Sequence, residues 1–284
     1  MNNNTEHPLF QEILQPGFAD YGLLGPFFLA LVCLVFLVLL FLHALPQLQR
    51  GPTYESVRGY ILARPGLLVG LSLLLLLQSL AGYLALPGRL VASGYAPMAA
   101  LSMAGPLVFT GLALLILNRS RHTVARLSLA GLTSLHLFRL FIEGVMFMNL
   151  YEQGGIPREM TILGRNPDLL VGLTALPVAF LWWRKWMGPR LLILWNLLGL
   201  ACLINIVSVA ILSMPTDFQL FGLDQPNVAI LRFPFMLLPA FLVPVAFLAH
   251  VYSLCQLWPL ARGRKEGSTE PELQNDVQAG EKGG

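Results

Sequence analysis

The sequence predicts an all-α fold, a polytopic membrane helix bundle with seven transmembrane helices, and three observations support this prediction. Of the 284 residues, 56% are hydrophobic and only 12% are charged, whereas soluble globular domains carry about 25% charged residues. Seven apolar segments each reach the length of about 20 residues that crosses a hydrocarbon core. Basic residues are also more numerous in every second loop, which places most of them on one side of these segments. The chain therefore belongs to the membrane class.

The seven predicted spans account for most of the chain. They comprise residues 22–44, 64–86, 95–117, 124–150, 167–187, 190–213 and 233–258. Only Met-Gly-Pro separates the fifth span from the sixth, so we expect a tight antiparallel hairpin in which Gly188 ends one helix and Pro189 begins the next. In the seventh span, Pro239 and Pro244 each remove a backbone hydrogen bond, which predicts a kinked helix.

The distribution of basic residues predicts the orientation. Ten lie in the loops after the first, third and fifth spans or in the C-terminal tail, and four lie on the other side. By the positive-inside rule, this bias predicts an outside N-terminus and a cytoplasmic C-terminus. We therefore expect an outer N-terminal segment (1–21), a seven-helix membrane domain (22–260) and a cytoplasmic tail (261–284). The tail is polar and poor in apolar residues, which predicts disorder.

The fourth span carries the most informative polar residues, His136, Arg139 and Glu143. At about 100° per residue they share one face of a helix. A charge at the bilayer centre costs roughly 2.5–3.5 kcal/mol, so this face should point into the bundle. Arg139 and Glu143 are four residues apart, which predicts a buried pair between them. They could form a proton relay or an anion site together with His136, or simply an ion pair that locks the helix in place.

Three further polar residues complete the predicted intramembrane site. Asn205 and Ser208 share a face of the sixth span, and His250 lies in the seventh. Amide side chains in membranes commonly join helices by hydrogen bonds, and a lone histidine is commonly a hydrogen-bonded core residue. His136 near mid-membrane and His250 toward the inner side make a poor ligand pair for haem.

The two long outer loops supply a second candidate site. The first contains Arg165, Asn166 and Asp168, and the second contains Asp224, Gln225 and Asn227. We expect Asn166 to be the N-cap of the fifth span, with Asp168 in its first turn. Local capping does not explain Arg165, so we predict that it meets Asp224 where the two loops close the outer end of the bundle. Ordinary loop capping is the alternative.

The stretches from Gly164 to Ala175 and from Asp224 to Ile230 resemble a group of unannotated bacterial integral membrane proteins. That group reads G-R-N-x-D before its fifth helix and D-Q-P-N before its last helix. The resemblance covers the fourth to seventh spans. It implies a multi-pass protein of the bacterial inner membrane. Because both motifs lie in the predicted outer loops, it also makes these loops a candidate site, but it carries no transferable function.

Three functional hypotheses follow. The first is a membrane protein that moves or senses a small solute or a proton through the polar site on the fourth span. The second is a structural or assembly subunit that binds a partner protein in the membrane. The third is a membrane enzyme or cofactor-binding protein that uses His136 or His250. We assign no catalytic residue, metal site or cofactor. The net charge of +3 and the lack of a basic, aromatic-interleaved patch argue against nucleic acid, so the lipid bilayer is the expected partner.

Overall fold

The regular structure of the described residues is entirely helical. The computed structural model describes residues 21–48, 65–116 and 127–262. Its helices are α1 (Leu24–Leu48), α2 (Pro65–Tyr83), α3 (Leu86–Ala92), α4 (Ala96–Ile116), α5 (Leu129–Glu152), α6 (Asp168–Trp183), α7 (Pro189–Leu212) and α8 (Leu238–Ala261), with short 3₁₀ turns at Arg158–Met160 and Ala229–Leu231. The predicted all-α class is thus confirmed for these ranges. Our interpretations of residues 1–20, of the loops after the first and third spans, and of the tail from residue 263 lie outside them.

Three of the described helices, α5, α7 and α8, are long and apolar enough to cross a membrane. Helices α2 and α3 meet at a bend of 50° and would make a fourth span if they cross together. The bend lies at Ala85, which has a left-handed backbone with φ of 53°. Shorter apolar stretches occupy Leu24–Leu40, Pro97–Ala113 and Asp168–Trp183. Every predicted span therefore coincides with a helix, although three of these stretches are too short to qualify as spans alone.

The hairpin between α6 and α7 is present, but its turn differs from the prediction. Helix α6 ends at Trp183, five residues before Gly188. The left-handed residue after this helix is Lys185, with φ of 60°, and not a glycine. Gly188 is extended and precedes Pro189, which begins α7 as predicted. The chain therefore leaves α6 through an exposed Arg-Lys-Trp segment and not through the expected Gly-Pro turn.

Helices α5 and α8 both depart from regular α-helical geometry. In α5, the backbone N–H of His136 donates to the Thr133 carbonyl and that of Arg139 donates to the His136 carbonyl, a three-residue pattern tighter than an α-turn. The following segment, Ile142–Met146, is a wider π-helical turn. In α8, the π-helical turn Leu238–Leu242 contains Pro239, so the predicted irregularity of this helix is found at that proline. Irregular turns of this kind are frequent at functional sites.

Glycine allows α5 and α6 to approach closely. A Cβ atom added to Gly172 of α6 would lie 2.6 Å from the backbone nitrogen of Leu140 in α5. Because the obstructing atom belongs to a helix backbone, it cannot rotate away as a side chain could. The contact therefore requires glycine at this position and holds the first turns of α6 against the middle of α5.

Replacing Gly172 by alanine should destabilise the protein. The added methyl group must separate two helix backbones, and overpacking of this kind typically costs about 1–3 kcal/mol. Gly70→Ala in α2 is the matched control, because Gly70 is exposed and an added Cβ there meets nothing within 4 Å. We expect a lower thermal unfolding midpoint in detergent for Gly172→Ala only. Equal midpoints for the two variants would contradict the close α5–α6 contact.

Candidate functional site

A buried ion pair joins α5 to α6. Nη1 of Arg139 lies 2.9 Å from Oδ1 of Asp168, and both side chains are 2% exposed. Asp168 is the first residue of α6, where the helix dipole favours a negative charge. The prediction that Arg139 pairs with Glu143 is therefore wrong, because Asp168 is the ion-pair partner of Arg139. An acid in the first turn of the neighbouring helix takes the place that sequence spacing assigned to Glu143.

Glu143 is bonded to an uncharged group. Nδ2 of Asn166 donates a hydrogen bond to Oε2 of Glu143 and a second one, 2.9 Å long, to the carbonyl oxygen of Met160. Oδ1 of Asn166 accepts the backbone N–H of Asp168 at 3.0 Å. The Met160 carbonyl requires a donor and the Asp168 N–H requires an acceptor, so these two bonds fix the orientation of the amide. The carboxylate of Glu143, 4% exposed, thus faces a donor and is not in an ion pair with a described residue.

These bonds make one continuous network. It runs from Arg139 through Asp168 and Asn166 to Glu143. Two residues of the predicted outer-loop site, Asn166 and Asp168, therefore belong to the same cluster as Arg139 and Glu143 of the predicted intramembrane site. As predicted, the side chain of Asn166 accepts a backbone N–H at the start of α6. The helix begins at Asp168, however, so the N-cap position is Pro167 and not Asn166.

His136 and His250 lie together in the bundle. Their ring centroids are 3.9 Å apart and the ring planes differ by 21°, which is a stacked arrangement. The indole of Trp195 packs against both rings, at 5.6 Å and 5.7 Å. The depth argument that separated the two histidines was therefore wrong. Two imidazoles stacked this closely leave no space for a porphyrin between them, so the pair does not fit bis-histidine haem.

Asn196 fixes the tautomer of His250. Nδ2 of Asn196 donates to the carbonyl of Leu192 at 2.8 Å, so its Oδ1 is the atom that lies 2.9 Å from Nδ1 of His250. An amide oxygen accepts only, and Nδ1 of His250 must therefore carry the proton. In the neutral ring the lone pair is then on Nε2, which is buried and has no hydrogen-bond partner among the described residues. Gly199 makes room for this atom, since a Cβ there would lie 2.7 Å from Nε2.

Several other nitrogen atoms of the site also have no hydrogen-bond partner among the described residues. They are Nε and Nη2 of Arg139 and both ring nitrogens of His136. Buried polar groups are normally satisfied, so a cluster of exceptions needs a functional or structural explanation. No set of three or more His, Cys, Asp or Glu residues in the described ranges could hold a metal ion. The carboxyl and imidazole groups of the cluster are of the kinds that can bind and release protons.

The two long loops meet over one end of the bundle, as predicted. The carbonyl of Gly155 accepts the backbone N–H groups of Val228 and Ala229, at 3.1 Å and 2.9 Å. Nε2 of Gln225 crosses between the loops to the carbonyls of Tyr151 and Ile156, at 2.8 Å and 2.6 Å. These bonds satisfy loop backbone and support the capping interpretation of Gln225.

The predicted Arg165–Asp224 contact is not among the ion pairs of the described residues. The guanidinium of Arg165 instead lies 4.8 Å above the ring of Phe221, and Asp224 is exposed. Arg165 therefore joins the two loops by a cation–π contact and not by charge pairing. Asn227 caps the C-terminal end of α7: its Nδ2 donates to the carbonyl of Ala210 and its N–H to that of Ser213.

Two residues assigned to the intramembrane site lie away from it. Nδ2 of Asn205 donates to the carbonyl of Arg165 at 2.7 Å, so Asn205 joins α7 to the first long loop. Ser208 is exposed and bonds the Ile204 carbonyl of its own helix. Asn196, Trp195 and Gly199 belong to the site, but sequence reasoning missed them. Asn196 lies on another face of α7 from the Asn205–Ser208 pair, and that difference was the available signal.

The fold and site together define an all-helical membrane protein with a charged network buried between its helices. The chain belongs to the family described as domain of unknown function (DUF8737), whose model matches residues 96–258. The match begins with α4 and ends within α8, so it includes every residue of the buried network. No curated protein and no solved structure matches the chain.

The ion pair should behave as a unit in a double-mutant cycle. Asp168→Leu leaves the buried Arg139 without its counter-charge, which costs roughly 3–5 kcal/mol in soluble proteins. Arg139→Leu should cost less, because a carboxyl group can become neutral and a guanidinium cannot. The double variant should recover much of the loss, as measured by thermal unfolding in detergent.

The cycle of Arg139→Leu with Glu143→Leu is the control. Since Glu143 has a different hydrogen-bond partner, this double variant should be no more stable than Arg139→Leu. Recovery in the control, but not with Asp168→Leu, would show that Arg139 pairs with Glu143 after all.

Proposed function

We propose that the chain is a multi-pass protein of the bacterial inner membrane that crosses the bilayer seven times, with its N-terminus outside. Every predicted span coincides with a described helix, which supports this topology. The charges of the described ends also support it. The α6–α7 hairpin carries only basic charges, Arg184, Lys185 and Arg190, whereas the two long loops at the opposite end carry Glu159, Asp217 and Asp224 besides their arginines.

Within this topology, we infer that the protein moves or senses protons through its buried polar network. The observation that carries the inference is the partner of Glu143. Arg139 is already neutralised by Asp168, whereas Glu143 has only the neutral amide of Asn166. Glu143 is therefore the carboxyl of the cluster that can exchange a proton without breaking the ion pair.

His250 provides a second proton-exchanging group in this proposal. Its Nε2 carries the lone pair of the neutral ring, and the stacked His136 ring lies beside it. Two positive rings stacked at this distance would repel each other strongly, so the pair can accept one proton at a time. Arg139 lies between Glu143 and His136 along α5, so the two proton-exchanging groups flank the Arg139–Asp168 ion pair in this proposal.

The close packing of the site favours a proton over a larger solute. The network residues and the two histidines are each at most 6% exposed. Burial of His136, Arg139 and Glu143 within the chain's own interior also favours this function over a subunit that presents its polar face to a partner. The convergence of His136 and His250 is what a cofactor-binding protein would need, but only two ligands meet there.

The topology can be tested with reporter fusions. A fluorescent reporter that folds only in the cytoplasm should be bright when attached after Gly284 and dark when inserted next to Leu223, which is exposed in the second long loop. Alkaline phosphatase, which is active only outside, should give the opposite result at both places. The same activity at both places would contradict an odd number of crossings between them.

Proton movement can be measured in liposomes. We expect the reconstituted chain to dissipate a potential-driven pH gradient faster than protein-free vesicles, and Glu143→Gln to lower that rate at least tenfold. Glutamine still accepts the hydrogen bond from Asn166, so the thermal unfolding midpoint should change little. Glu152→Gln, an exposed acid at the end of the same helix, is the matched control and should leave the rate unchanged.

Each outcome has a separate consequence. A wild-type rate equal to that of empty vesicles contradicts transport. In that case a sensor still requires a pH-dependent change in the fluorescence of Trp195, which contacts both histidines, and this change must disappear in Glu143→Gln. Trp195→Phe identifies the contribution of that indole. If the fluorescence is also independent of pH, the network is a structural ion cluster.

A further inference from the structure

The end of the bundle opposite the long loops carries exposed aromatic rings and basic side chains together. In the hairpin between α6 and α7, Trp183 and Trp186 are each 67% exposed. The guanidinium of Arg184 lies 5.9 Å from the ring of Trp183 and 5.2 Å from that of Trp186. Phe180 packs against both indoles, at 6.0 Å and 6.1 Å, and supports the arrangement from α6. This cation is therefore held between two rings.

The end of α8 adds a second aromatic–basic pair to the same region. Leu257 packs in one cluster with Leu192 and Met187 of the hairpin, which brings the end of α8 beside it. The next residue, Trp258, is 51% exposed. Arg262 lies 5.1 Å above its ring. The hairpin and the end of α8 thus form one surface.

Among the described residues of this surface, every charged side chain is basic. Its basic residues are Arg184, Lys185, Arg190 and Arg262, all exposed. The chain has no Asp or Glu between Asp168 and Asp217, so the hairpin contributes no acid. None of these four cations forms an ion pair with any residue of the described ranges. Four positive charges beside three exposed indoles match an occupant that has both an acidic group and an apolar part.

We propose that this surface, which we call the hairpin face, binds the headgroup of an anionic phospholipid. Tryptophan rings are enriched at the level of the headgroups, where the polar edge of the ring contacts water and the rest contacts acyl chains. Arginine held between them presents a planar donor set that matches a phosphate. The occupant is a lipid and not a free phosphate, because the exposed rings beside the cations would otherwise face water. The proposal does not depend on proton movement by the buried network.

Native mass spectrometry of the full-length chain tests the proposal. The purified protein is mixed in detergent with phosphatidylglycerol or with phosphatidylcholine that has the same acyl chains. We expect the wild type to retain phosphatidylglycerol preferentially. Arg184→Gln, Lys185→Gln and Arg190→Gln should each weaken that retention about fivefold, because one basic residue contributes about 1 kcal/mol of attraction at an anionic surface. Retention of phosphatidylcholine should not change.

Two further variants separate a defined site from diffuse charge. Trp186→Leu keeps the charges and an apolar side chain but removes the ring next to Arg184, so it should lower phosphatidylglycerol retention about two- to fivefold. Arg158→Gln removes an exposed arginine at the opposite end and should have no effect. Unchanged thermal unfolding midpoints show that the variants are folded.

The results that would overturn the proposal are equally specific. The wild type could retain both lipids equally, or Arg158→Gln could weaken retention as much as the hairpin variants do. Displacement of phosphatidylglycerol by excess inorganic phosphate would assign the surface to phosphate in general and reject the lipid.

Discussion

The packing of α5 against α6 depends on the buried cation of Arg139. Its side chain is 2% exposed, and a guanidinium stays charged in such a setting. The acid that meets it is Asp168, which lies in the first turn of α6. One helical turn further, Gly172 touches the backbone of Leu140, the neighbour of Arg139. The ion pair and the close helix contact are thus two consequences of one placement, with the start of α6 against the middle of α5. Neither can shift without disturbing the other.

The same placement connects the first long loop to the interior. Asn166 precedes Asp168 by two residues, so the position of α6 also determines where its amide lies and which carboxyl it meets. The carbonyl of Arg165, one residue earlier, is held by Asn205 of α7. A movement of the loop would therefore shift Asn166 and change its hydrogen bond to Glu143. This is a physical route by which the end of the bundle that carries the long loops could affect the buried carboxyl.

Sequence reasoning found the helices and the burial of the fourth span, because apolar length and helical spacing are local properties. It assigned the wrong partner to Arg139, because a spacing of four residues within one helix does not reveal an acid 29 residues away. It also separated His136 from His250 by counting residues from predicted helix ends. An error of four residues at one end is about 6 Å along a helix, which is as large as the separation that was being judged. Helix tilt and the true start of α8 at Leu238 are tertiary properties that a count cannot supply.

The division of charges within the network bears most directly on its role. An ion pair that only locks two helices needs one cation and one anion, and Arg139 with Asp168 already meets that need. Glu143 adds a second buried carboxyl, which a purely structural pair does not require. Burying an unpaired charge on this group is energetically unfavourable. Its amide partner is held by the Met160 carbonyl and the Asp168 N–H, so it continues to offer a donor to the carboxyl. This second carboxyl, together with an Nε2 of His250 that has no hydrogen-bond partner among the described residues, supports the proposal of proton exchange more directly than a role in packing alone.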